Sequence, residues 1–125
     1  MRLCRAAIAP ALFVLASCSR ATDPFDRDDV TATTRLGAIE LTNGSSARVF
    51  YFLYERQDAA RINWAPCVDA VRCPSLRPGE RVVIPNTAIG GYGPGKAEAI
   101  VWWWRGPREP GLDDIRAIVV RLEPI

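Results

Sequence analysis

Residues 48–56 read RVFYFLYER, and this stretch decides the fold class. Along a strand alternate side chains point to opposite faces, so Val49, Tyr51 and Leu53 share one face while Phe50, Phe52 and Tyr54 share the other. Neither face is polar, which marks a central strand buried over most of its length. Residues 97–105, AEAIVWWWR, repeat the pattern, with Trp102 and Trp104 on one face beside Ile100 and Trp103 on the other beside Val101. Working outward, Leu36 to Thr42, Arg61 to Trp64, Arg81 to Ile84 and Ile115 to Glu123 read as further short strands. Asn43-Gly44, lying between two apolar runs, is a hairpin signal. Pro85 to Gly95 and Gly106 to Gly111 are Gly/Pro-rich loops, and no segment keeps a helical period over three turns. About six or seven strands with turns between them predict an all-β sandwich or small barrel.

The run Leu76-x-Pro78-Gly79-Glu80, followed by Val82 and Ile84, resembles the turn-plus-strand element of bacterial immunoglobulin-like sandwiches. The resemblance implies an all-β, immunoglobulin-like sandwich over residues 35–125. Such domains are mostly binding or structural modules, so it implies no catalytic residue.

The N-terminus has a different character. Arg2 and Arg5 precede AAIAPALFVLA at residues 6–16, an uncharged run of about 11 residues. That length suits the apolar core of a signal peptide and falls short of the 18 or more residues of a spanning helix. Leu15-Ala16-Ser17-Cys18 follows and resembles the lipobox of bacterial lipoproteins. The resemblance implies that residues 1–17 are a cleaved signal peptide and that Cys18 is the acylated first residue of the mature chain. Its partner is then a membrane of the bacterial cell envelope. Ser19, which is not Asp, favours the outer membrane, facing the periplasm, if the cell has two membranes. Residues 18–34 carry Asp23, Asp26, Asp28 and Asp29 and few large apolar groups, and so read as a flexible tether.

Loss of Arg2 and Arg5 with the signal leaves fourteen basic residues against fourteen acidic ones. A near-neutral domain offers no electrostatic footprint for nucleic acid. The chain contains no histidine, which removes Ser-His and Cys-His nucleophile arrangements together with the commonest metal ligand. Cys67 and Cys73 remain after Cys18 and are expected to form a disulfide in an oxidising compartment. Two thiolates without histidine make a poor zinc site, and no cofactor or metal is expected.

Trp102, Trp103 and Trp104 are the candidate binding platform, with Tyr92 as the anchor of the Gly90–Gly95 loop. One face of the tryptophan strand is expected in the core, and the other either lies under a loop or is open to an envelope protein, peptide or glycan. Asp113-Asp114 reads as a turn. The expected function is therefore non-catalytic binding or structural association at the envelope. The alternatives are a small enzyme using Asp/Glu chemistry and an inhibitor-like module presenting a rigid loop.

Overall fold

The computed structural model describes residues 29–123. The expected signal peptide, Cys18, Ser19 and the expected tether up to residue 28 lie outside the described residues. The elements in chain order are β1 (Val30–Arg35), β2 (Ala38–Asn43), β3 (Val49–Glu55), α1 (Arg56–Ala59), β4 (Ser75–Leu76), β5 (Arg81–Pro85), β6 (Glu98–Arg105) and β7 (Arg116–Arg121). Short 3-10 turns, Asn86–Ala88 and Leu112–Asp114, precede β6 and β7. Two antiparallel sheets result, ordered β1-β2-β5 and β4-β3-β6-β7, with sandwich-like packing. The all-β expectation of about six or seven strands therefore holds, with seven strands in two sheets.

The core lies between the two inner faces. Ile39 and Leu41 of β2 and Val30 of β1 meet Val49 of β3, Ala99, Val101 and Trp103 of β6, and Val120 of β7. Each fully buried Val, Leu or Ile side chain contributes about 1.5–3 kcal/mol relative to exposure. β3 sits between β4 and β6, the central position that its doubly apolar pattern demands. The outer face of the three-stranded sheet is polar by contrast, with Glu40 pairing both Arg35 and Arg81 at 3.5 and 3.2 Å.

Three local expectations are corrected. Residues 30–34 read as tether, yet they belong to β1, which pairs with β2 from Val30↔Asn43 to Arg35↔Ala38. The stretch VTATTR looks polar, but its Val and Thr residues are β-branched, and buried Val30 with half-buried Ala32 and Thr34 alternates with exposed Thr31, Thr33 and Arg35. The turn after it, Leu36-Gly37, is the tight hairpin of this sheet, and Gly37 takes a φ of 74° that other residues rarely adopt.

Asn43-Gly44 is not a hairpin, because β2 and β3 belong to different sheets. A type I′ turn needs positive φ at both central residues, and Gly44 is not among the positive-φ glycines. Asn43 is instead fully buried at the crossover. Its Nδ2 donates to the carbonyls of Ala47 and Leu76 at 2.8 and 3.0 Å, while its Oδ1 accepts from the N–H and hydroxyl of Ser45. The side chain ties the crossover to β4 of the opposite sheet. Arg61 to Trp64, the third correction, is irregular rather than a strand.

Candidate functional site

Pairing of β3 with β6 builds the aromatic surface. Phe50 faces Trp104, Phe52 faces Trp102, and Tyr54 faces Ile100, all on the outer side of the four-stranded sheet. The inner side carries Tyr51 opposite Trp103 and Leu53 opposite Val101. Trp103 is buried at 5% exposure in the core, whereas Trp102 on the outer side stays half-buried. Trp104 also faces outward, yet it is only 2% exposed because the segment from 60 to 74 lies over it.

That segment contributes Trp64, which completes a cluster of five rings. Its ring centroid lies 5.0 Å from Phe52, 4.9 Å from Trp102 and 5.6 Å from Trp104. Phe52 in turn stacks on Tyr54 at 6.2 Å and on Trp102 at 5.9 Å. Tilted and offset arrangements of this kind contribute about 0.5–1.5 kcal/mol per pair beyond their area. Trp104 Nε1 donates to the Cys67 carbonyl at 3.0 Å, so the buried indole is satisfied and the covering loop is pinned.

Cys67 and Cys73 form the expected disulfide. A closed loop of this length contributes about 2–2.5 kcal/mol by chain-entropy arithmetic. Asp69 organises its interior: Oδ1 accepts from the Val71 N–H, and its carbonyl accepts from the N–H groups of Arg72 and Cys73. The loop is a rigid cover rather than a loose one.

Tyr92 is half-buried and packs on the core from the loop preceding β6. It makes no ring contact with the tryptophans, so the four residues of the candidate platform are not gathered on one surface. The structure brings Trp102 and Trp104 together, turns Trp103 inward, and places Tyr92 elsewhere. Phe52, Tyr54 and Trp64 are the members that sequence reading missed. The β3 pattern contained the first two, but their partnership with Trp102 needs the register. Trp64, in an irregular segment, carries no periodic signal.

Gly90 and Gly91 are required by the close approach of the Tyr54 ring. A Cβ at Gly90 would stand 2.5 Å from Cε2 of Tyr54, and Gly90 accepts the Glu55 N–H at 2.8 Å. Glu55, at the end of β3, is only 1% exposed. Burial pushes its carboxyl up, but backbone N–H groups of Gln57 and Asp58 and the Lys96 ammonium outweigh that and hold it below its ordinary value. Lys96 Nζ lies 3.4 Å from Glu55 and 3.5 Å from Asp58, clasping the loop to α1. This carboxylate is engaged in capping α1. Asp114 accepts from the Gly111 N–H at 3.0 Å, the turn role expected of Asp113-Asp114. Tyr51, on the inner side, has its phenol pushed up by burial and by the Glu80 carboxylate.

Among the described residues, no group of three or more His, Cys, Asp or Glu side chains is placed to hold a metal ion. No described helix is long and apolar enough to cross a membrane. Comparison with protein families, with curated proteins and with solved structures finds no match. The geometry therefore carries the functional reading.

Proposed function

We propose that the chain is a lipid-anchored protein of the bacterial cell envelope whose β-domain works by non-catalytic association with an envelope protein, peptide or glycan. The observation that carries the binding role is the outer aromatic row. Tyr54, Phe52, Trp64 and Trp102 touch ring to ring in a row and are half-buried, although the loop above them fully covers Trp104. Large rings left part-open on a rigid sheet offer contact area at low entropic cost. We further read the sandwich as immunoglobulin-like. The order β1-β2-β5 against β4-β3-β6-β7 supports this reading, with the strands taken as A-B-E against C′-C-F-G.

The anchor rests on Leu15-Ala16-Ser17-Cys18, and the disulfide accords with an exported chain. Two or more acyl chains on Cys18 hold a protein stably on a bilayer, while one holds it marginally. Ser19 directs the proposal to the outer membrane, facing the periplasm, in a cell with two membranes. Fractionation of cells producing the Cys18→Ser variant is the test. The variant is expected to leave the detergent-requiring membrane fraction, and a mature-size form that stays there would overturn the anchor. For the aromatic face, Trp102→Ala is expected to lose cross-links to envelope components in intact cells while the domain stays folded. Unchanged cross-linking would remove the face from the proposal.

A further inference from the structure

The two ends of the sandwich differ in what their loops present. The described chain begins at one end, where the Gly44 N–H donates to the Asp29 carbonyl at 2.6 Å and the Asp29 carboxylate pairs with Arg105. Arg105 is the last residue of β6, so the chain enters beside the root of the 106–115 loop. The disulfide loop stands against the same root. Val68 and Ala70 line a cavity of about 330 Å³ together with Gly106, Pro107, Arg48 and Phe50.

These two neighbouring loops each carry a large aliphatic side chain in the open. Val71 is 94% exposed and Leu112 is 90% exposed, the two highest values among the large apolar residues described. Both are held in place rather than trailing. Val71 donates its N–H to Asp69 inside the disulfide ring, and Leu112 opens a 3-10 turn secured by Asp114. Their surroundings mix Arg72, Arg108 and Arg116 with Asp69, Glu109 and Asp113, so neither sign of charge dominates. Such a surface is amphipathic.

Cys18 precedes Asp29 by eleven residues, which can span at most about 36–40 Å. We infer that this end of the domain faces the leaflet holding the anchor, with Val71 and Leu112 dipping into the boundary between headgroups and acyl chains. The inference rests on the lipid anchor proposed above. Two aliphatic tips are too few to bind a bilayer alone, but an anchor on a short segment supplies the high effective concentration that populates weak contacts. In this orientation Phe50 and Trp104 lie on the membrane side, and the open rings of Phe52 and Tyr54 lie farther from it along β3.

The test uses the full-length lipoprotein, purified with its native modification and reconstituted into phosphatidylethanolamine–phosphatidylglycerol vesicles. The vesicles contain a phospholipid with a diazirine on its acyl chain. After flotation and photolysis, peptide mapping is expected to find lipid adducts on the peptides holding Val71 and Leu112. None is expected on the peptide with Leu36, which is 73% exposed at the opposite end. A Val71→Asp/Leu112→Asp double variant is expected to float as before and to lose those adducts. Adducts at Leu36, none on either loop, or loop adducts that survive the double substitution would overturn the contact and leave the anchor standing. Failure of the unaltered protein to float would overturn the anchor, and the contact with it.

Discussion

Three adjacent tryptophans behave as three different residues because strand geometry sends them to different surroundings. Trp103 fills the core, Trp104 is buried under the disulfide loop with its N–H bound to Cys67, and Trp102 stays half-open. Trp103→Ala and Trp104→Ala are each expected to cost about 3–5 kcal/mol, and Trp102→Ala distinctly less. Urea unfolding of the three variants reads the difference, and equal losses would contradict the outward, part-open position of Trp102. Glu55 gives a second residue-scale prediction. Its folded-state value is held below the ordinary 4.5, so the stability it contributes is present above that value and is lost as pH falls through the lower folded value. Glu55→Gln removes the titrating group and is expected to flatten this acid limb in melting temperatures measured below pH 4.5. An unchanged acid limb would show that Glu55 does not carry it.

At the scale of elements, β1 decides where the domain begins. Val30 is 2% exposed and β1 covers one whole edge of β2, although the sequence of β1 reads as tether. A chain starting at residue 29 is expected to keep a sharp thermal transition. One starting at residue 36 loses Val30 and Ala32 from the core and bares the β2 edge, so its transition should broaden or vanish. Circular dichroism melts compare them, and matching transitions would place the boundary back at residue 35. The aromatic face was legible only in part for a related reason. Alternation in residues 48–56 and 97–105 showed which side chains share a face. It could not show that Phe52 lies opposite Trp102, because pairing is set by contacts between distant segments.

Across the whole molecule the two sheets share one core, in which Ile39 and Leu41 of one meet Val101 and Trp103 of the other. Asn43 and Asn86 bind the sheets at opposite ends. Asn43 reaches Leu76, while Asn86 donates its N–H to Gly37 and its Nδ2 to the Glu123 carbonyl. Neither sheet can keep its inner face without the other, so unfolding is expected to be a single event. Tryptophan fluorescence and far-ultraviolet circular dichroism should give coincident urea transitions. Two separated transitions would mean that the sheets fold independently.

Local chemistry by itself determined the strand class, the central place of residues 48–56, and the opposite facing of Trp103 and its neighbours. Each follows from alternation or composition within a short window. Tertiary structure alone decided that Asn43-Gly44 crosses between sheets, that residues 30–34 join the domain, and that Trp64 covers Trp102 and Trp104. Those outcomes depend on which distant segments come together to bury surface and to supply hydrogen-bond partners, and no local pattern encodes that choice.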